Sequence, residues 1–132
     1  MGGGKRFVLL LCLLTCCGCA KKKTNELITD LRGTEPHDRL LAVRLLAQRK
    51  ENAAEVVPVL IEVLKDKAVD IRLSAAIGLG SFSDQARDAI PALQAAQRDP
   101  DARVREAARV ALSRIDPTRF PPSKGRGTKG EG

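Results

Sequence analysis

The most constraining feature of this sequence is an internal repeat with a period of 33 residues. The segment Val57-Pro58-Val59-Leu60 is matched 33 positions later by Ile90-Pro91-Ala92-Leu93. Three columns run through three units in the same register: Leu27, Leu60 and Leu93; Arg39, Arg72 and Arg105; Leu46, Leu79 and Leu112. A repeat of this length is typical of a solenoid, in which each unit buries its apolar face against its neighbours.

Apolar residues within each unit follow helical spacing. Ile71, Ala75 and Leu79 lie on one face of a predicted helix. Pro91 suits the first turn of the next helix, where its missing N–H costs little, and we interpret Gly78 and Gly80 as loosening the chain between the two. The pattern predicts helices at 24–32, 36–48, 54–65, 68–79, 85–97 and 101–115. No segment shows the alternation typical of a β-strand.

The period and its motif resemble short bacterial HEAT-like repeats, including the phycobilisome-lyase HEAT-like type. That pattern has a proline that opens the second helix, an aspartate eight residues later and an arginine six after that. The matching residues are Pro58, Asp66 and Arg72, then Pro91, Asp99 and Arg105. The resemblance covers residues 24–116 and implies an all-α fold, a short right-handed α-solenoid of about six helices. It also implies an Asp–Arg ladder between stacked turns, and Asp66 and Asp99 suit N-terminal capping of the helix that follows.

The N-terminus has the layout of a secretory signal. Lys5 and Arg6 form a positive region, and the apolar segment Phe7–Leu14 precedes small residues near a cleavage site. That apolar segment is too short to span a bilayer as an ordinary helix. We therefore interpret residues 1–18 as a signal peptide.

The pair Gly18-Cys19 after this segment resembles the lipobox of bacterial lipoproteins. The resemblance implies cleavage before Cys19, lipidation of its sulfur, and residues 19–23 as a lipidated cysteine with a basic linker. The expected location is the cell membrane or outer membrane, facing the periplasm or the exterior. Cys16 stands where the family usually has leucine, and cleavage before Cys17 is a second option. The basic tract 21–23 opposes translocation, which leaves an uncleaved anchor on an intracellular protein as the alternative.

The net charge is +7, but the excess of basic residues lies before residue 24 and after residue 117. Between residues 24 and 117 the chain has 14 basic and 15 acidic residues, so the repeat region is nearly neutral. A nucleic-acid footprint requires a basic face on the domain itself, and the absence of Trp and Tyr disfavours a base-stacking surface. We expect no nucleic-acid partner, and we interpret residues 117–132 as a disordered basic tail.

The residue types that carry most enzyme chemistry are scarce. All four cysteines lie at or before Cys19, which excludes a disulfide framework in the repeats, and His37 is the single histidine. No set of nucleophile, base and orienting residue is apparent. We therefore expect a monomeric protein that is not an enzyme and has neither metal nor cofactor. A chromophore lyase is the enzymatic alternative, suggested by the name of the resembled family alone.

The second helices of the units offer a candidate binding face. Their core stripe includes Val57, Leu60 and Leu64, and beside it lies a further apolar stripe. Two interpretations stay open for that further stripe. The residues pack between neighbouring helices, or they form an apolar concave patch that takes a segment of a protein partner. The residues concerned are Val56, Val59, Glu62, Val63, Ala89, Ala92 and Ala96.

Overall fold

The computed structural model describes residues 22–122. Within this range it is all-helical, with no strand. The six α-helices are α1 (Thr24–Asp30), α2 (Pro36–Leu46), α3 (Ala53–Val63), α4 (Val69–Ser81), α5 (Ile90–Ala96) and α6 (Ala102–Ile115), and two short 3-10 segments span Lys50–Asn52 and Ser83–Ala89. The six predicted helices are therefore confirmed, with ends that differ by a few residues.

The helices stack in two layers. Helices α2, α4 and α6 pack side by side, and α4 contacts both of the others extensively. In the other layer α1 packs on α2, α3 packs on α4, and α5 packs on α6, while the segment Ser83–Ala89 bridges α3, α4 and α6. This arrangement of successive helical hairpins is a short α-solenoid, as predicted.

The leucine columns found in the sequence form the core between the layers. All six of these leucines are at most 1% exposed: Leu27, Leu46, Leu60, Leu79, Leu93 and Leu112. Burial of a leucine side chain contributes about 1.5–3 kcal/mol relative to leaving it in water. The 33-residue register therefore places the largest apolar side chains at equivalent positions in every unit.

The role assigned to two glycines is wrong. Helix α4 does not loosen at Gly78 but runs through Gly80 to Ser81. A Cβ on Gly78 would lie 2.9 Å from Ala47 Cβ, and one on Gly80 would lie 3.0 Å from Ala111 Cα. These glycines therefore allow neighbouring helices to approach closely, a packing requirement that local sequence does not reveal.

The predicted helix 85–97 is also shorter than expected. Residues Ser83–Ala89 form a 3-10 segment in which Ala86 leaves helical geometry, and the α-helix begins at Ile90 with Pro91 in its first turn. Pro91 has no N–H to donate to a carbonyl one turn earlier, which favours a break before it. The equivalent Pro58 nevertheless lies inside α3, so tertiary packing decides how far each helix extends.

At the C-terminus the ordered chain continues past the predicted boundary at residue 116. A turn at 117–120 follows α6, and the Phe120 N–H donates to the Asp116 carbonyl at 2.9 Å. Phe120 packs against the core, with the Arg119 guanidinium 5.3 Å from its ring centroid. The predicted signal peptide, Cys19 and the rest of the predicted tail lie outside the described residues.

Candidate interaction surfaces

The Asp–Arg motif forms a ladder between the turns that join successive units. Arg72 donates from Nε and Nη2 to the carboxylate of Asp99 at 2.8 and 2.9 Å, and Arg39 makes the same pair of bonds to Asp66 at 3.2 and 3.3 Å. The Nη1 of Arg72 also donates to the carbonyl of Asp66, at 2.9 Å. The predicted ladder is confirmed, and its residues join neighbouring units.

The predicted capping role of these aspartates is wrong. The N-caps of α4 and α6 are Ala68 and Asp101, so Asp66 and Asp99 lie two residues too early. Each aspartate instead accepts a hydrogen bond from the N–H two residues on, Asp66 from Ala68 at 2.8 Å and Asp99 from Asp101 at 2.9 Å. They therefore shape the turn before the helix. Asp101 is the side-chain cap of α6, since it accepts from the Arg103 N–H at 2.8 Å.

Hydrogen bonds from arginine side chains lower the pKa of three carboxylates. The hydrogen bond from Arg72 lowers the pKa of Asp99, whose side chain is only 8% exposed. A hydrogen bond from Arg103 lowers the pKa of Asp101, and one from Arg109 lowers the pKa of Glu106. These shifts favour the ionised form, whereas a catalytic acid or base near neutral pH would need a raised carboxylate pKa.

The structure divides the predicted binding stripe. Val56 and Ala89 are fully buried, so the interpretation of these two as part of an exposed patch is wrong, whereas Ala96 is 9% exposed. The 3-10 segment Ser83–Ala89 lies against α3, where its Ala86 and Ala89 are fully buried. For Val56 and Ala89 the burial supports the interpretation that they pack between neighbouring helices.

The remaining stripe residues line two separate grooves. Val59, Glu62 and Val63 line a groove of about 440 Å³ between α3 and the end of α1, together with Ile28 and Leu31. Ala92 lines a groove of about 220 Å³ between α3 and α5, beside Ala96. The predicted continuous patch is therefore two grooves on either side of α3.

A groove larger than either of those beside α3 lies in the other layer, between α4 and α6, and sequence reasoning missed it. Its volume is about 530 Å³. The side chains that line it are mostly small, which leaves this space open, and its apolar lining includes Ala76, Ile77, Gly80, Ala107, Val110 and Ala111. Ile77 is 54% exposed, and within residues 22–122 Leu41 is the other large hydrophobic residue left so exposed. The position of Ile77 off the core stripe of α4 is the one signal in the sequence that could have indicated this groove.

Charged side chains form the rim of the α4–α6 groove. Arg103 is paired with Asp101 at 3.3 Å and Asp70 at 3.4 Å, and Glu106 is paired with Arg109. Arg114, at the C-terminal end of α6, has no ion-pair partner within residues 22–122. The groove thus offers an apolar floor beside one available guanidinium.

Other candidate chemistry is limited in the part of the chain that the structure describes. Residues 22–122 contain no cluster of three or more His, Cys, Asp or Glu side chains suited to hold a metal ion. His37 is exposed in the first turn of α2, directly after Pro36. In the same range no helix has the length and apolar character needed to cross a membrane.

The layered hairpins and the Arg–Asp ladder define the class of protein as a short α-solenoid. The family of HEAT repeats matches residues 24–113, and the chain belongs to that family. Comparison with curated proteins finds no match. HEAT repeats suggest a scaffold for protein interactions, since a stacked solenoid presents extended surfaces on which partners bind.

Proposed function

We propose that this chain is a non-enzymatic scaffold, anchored in the cell envelope by lipid on Cys19, that binds a segment of a partner protein. The observation that carries the binding part is the α4–α6 groove, with its apolar floor and the exposed Ile77. Apolar surface that is contiguous and lines a groove, rather than a single exposed side chain, is typical of a site that binds a partner.

The groove indicates the chemistry of the partner. It lies between helices α4 and α6, and its floor of small residues leaves room for large apolar side chains. A segment with apolar residues at helical spacing fits such a groove. Arg114 favours an acidic residue beside them. The partner segment is therefore an amphipathic helix with at least one carboxylate.

Lipid anchoring is supported by the sequence alone. Cys19 follows a short apolar segment and Gly18, and no cysteine follows it. Diacylation of such a cysteine attaches two acyl chains, which anchor a protein stably where a single chain does not. The scaffold would then act at a membrane, on partners in the cell envelope.

Binding is tested by photo-crosslinking from position 77 in cells, followed by measurement of Kd for the captured segment as a purified peptide. We expect Ile77→Asp to weaken binding at least about tenfold, which corresponds to 1.4 kcal/mol. Leu41→Asp is the matched control, because Leu41 is equally exposed but outside the groove. Unchanged affinity in Ile77→Asp with loss in Val59→Glu would move the site to the groove beside α3.

Anchoring is tested by growth with labelled palmitate and by mass measurement of the N-terminal peptide. We expect label on a peptide that begins at Cys19, and its loss in Cys19→Ala. Cys17→Ala is the matched control, since it should keep the label. An unlabelled chain that retains Met1 would contradict the proposal and favour the intracellular alternative with an uncleaved anchor.

A further inference from the structure

The N-terminal end of the helical stack has an apolar face that no other helix within residues 22–122 covers. Within the stack, α4 turns Gly78 and Ser81 toward α2: Gly78 lies against Ala47, and the Ser81 hydroxyl donates to the Ala47 carbonyl at 3.1 Å. Within residues 22–122 no helix precedes α2 in its own layer, so none packs on the equivalent face of α2. Leu45 occupies the position equivalent to Gly78, 33 residues earlier.

We define this N-terminal end face by the residues that line its groove of about 180 Å³: Lys22, Leu27, Asp30, Asp38, Leu41, Ala42 and Leu45. Leu41 is 50% exposed. Within residues 22–122 only Leu41 and Ile77 are large hydrophobic residues left so exposed. An apolar side chain of this size at the end of a solenoid is unusual, because terminal units generally carry a polar outer face.

The opposite end of the stack follows that general rule. On α4, Ala76 and Gly80 line the groove next to α6. The equivalent positions of α6, 33 residues later, are Arg109 and Ser113. Arg109 is paired with Glu106, and the Ser113 hydroxyl donates to the Val110 carbonyl at 2.8 Å. The apolar character of the N-terminal end face is therefore not a consequence of simply ending a stack.

The chain enters the domain at this same face. Lys22 lines the groove, its ammonium donates to Asp30 at 2.8 Å, and its carbonyl accepts a hydrogen bond from Arg49. Cys19 precedes Lys22 by three residues, and three residues span at most about 11 Å. A lipid on Cys19 would thus hold this face at the depth of the lipid headgroups.

Charge on the entering segment suits the same surface. Lys22 and Lys23 are exposed beside the N-terminal end face, and Lys21 precedes them in the sequence. Juxtamembrane lysines are attracted to anionic headgroups. Lys22 also neutralises Asp30, one of the two carboxylates that line the groove.

We infer that the N-terminal end face docks on the surface of an anionic lipid bilayer, with Leu41 inserted at the boundary between headgroups and acyl chains. The inference rests on the lipid anchor of the proposed function and adds the orientation of the domain. The stack stands on its N-terminal end, and the α4–α6 groove is carried away from the membrane on later helices.

Tryptophan fluorescence can test this orientation, because the chain contains no tryptophan. Cys19 is the sole cysteine of a chain that begins there, so a maleimide lipid can be attached to it chemically. The lipidated protein is bound to phosphatidylglycerol-containing vesicles with brominated acyl chains, which quench nearby tryptophan. The two variants are Leu41→Trp and its equally exposed control, Ile77→Trp.

We expect quenching to be about threefold stronger for Leu41→Trp than for Ile77→Trp, because only position 41 would reach the acyl boundary. A flexible insert of about ten residues after Ala20 should reduce that difference, since it releases the end face from the anchor. Equal quenching at both positions, or none at position 41, would overturn the inference. So would a lipid-independent blue shift of Leu41→Trp that grows with protein concentration, which would indicate a second copy on this face.

The result is independent of lipidation in cells, because the lipid is attached chemically. Failure of palmitate labelling would contradict the proposed function and leave this measurement unaffected. Conversely, a labelled lipoprotein without preferential quenching at position 41 would keep the anchor and reject the docking of the end face.

Discussion

The two Arg–Asp ion pairs of the ladder, here called its rungs, differ in geometry and in burial. The rung Arg72–Asp99 has bonds of 2.8 and 2.9 Å between side chains that are 13% and 8% exposed. The rung Arg39–Asp66 has bonds of 3.2 and 3.3 Å, with exposures of 16% and 19%. Shorter and drier charged hydrogen bonds are stronger and are costlier to break. The comparison indicates that the units around α4 and α6 are joined more tightly than those around α2.

The helices are also packed more tightly in the C-terminal half of the domain than in the N-terminal half. Helix α4 lies close to α6 at Gly80 and Ala111, and the C-terminal end is closed by polar side chains and Phe120. Helix α2 has an apolar face on which, within the described range 22–122, Leu41 is half exposed. The C-terminal half is therefore a tightly joined body that carries the α4–α6 groove, and the N-terminal half is the looser end next to the proposed anchor.

The largest predicted effect distinguishes the two rungs directly. Arg72→Ala should lower the free energy of unfolding by about 3 kcal/mol, because it leaves a buried carboxylate without its partner. Arg39→Ala should cost about 1–2 kcal/mol, since Asp66 is nearer to water. Denaturant unfolding of both variants measures the difference. Equal losses would contradict the comparison of the rungs.

A smaller effect is expected from Gly80→Ala. The added Cβ would lie 3.0 Å from Ala111 Cα, which is backbone and cannot rotate away. Overpacking of about 1–3 kcal/mol should outweigh the gain of up to about 1 kcal/mol in helix propensity. Thermal unfolding should therefore show a lower Tm. A higher Tm would mean that α4 and α6 separate easily, which would contradict the tight packing inferred for the C-terminal half.

Acid should weaken the ion pair between Arg72 and Asp99. Because the pKa of Asp99 is lowered in the folded protein, its ion pair contributes stability above the unfolded pKa of about 3.9. That contribution is lost as the pH falls through the lower folded pKa. Asp99→Asn should therefore be destabilising at neutral pH, and its deficit should shrink as the pH falls below about 4. A deficit independent of pH down to full acid unfolding would show that the charge of Asp99 is not what matters.

The smallest effect is expected at the end of the ladder. Arg105 stands in the arginine column, but within residues 22–122 it bonds only to the carbonyls of Asp99 and Pro100, each at 2.8 Å. Its side chain is exposed. Arg105→Ala should cost no more than about 1 kcal/mol. A loss as large as that of Arg72→Ala would indicate a further carboxylate partner for Arg105.

Much of the fold could be predicted from the 33-residue period. Leucines at equivalent positions of the repeat were expected to be buried in the same way. The family resemblance of the Asp–Arg motif predicted which residues pair in the ladder. The glycines of α4 were misinterpreted because their role depends on how closely two distant helices approach. The choice between burial and exposure stayed open for Val56 and Ala89 because helical spacing cannot show that the segment Ser83–Ala89 breaks from α-helix and lies against α3.

The candidate site was harder to predict than the fold. The α4–α6 groove exists because small residues form a low floor where the two helices approach closely, as at Gly80 and Ala111. Each helix alone shows only an alanine-rich surface with Ile77 beside it. The position of a groove between helices follows from their spacing, which one helical pattern does not contain.

Native-state hydrogen exchange tests the central claim, the contrast between the two halves, most directly. Amides of α4 and α6 should exchange only through global unfolding, whereas amides of α1 and α2 should exchange through local opening at lower free energy. In Arg72→Ala that protection of α6 should fall toward the level of α2. Uniform protection across the six helices, or the slowest exchange in α1 and α2, would contradict the account.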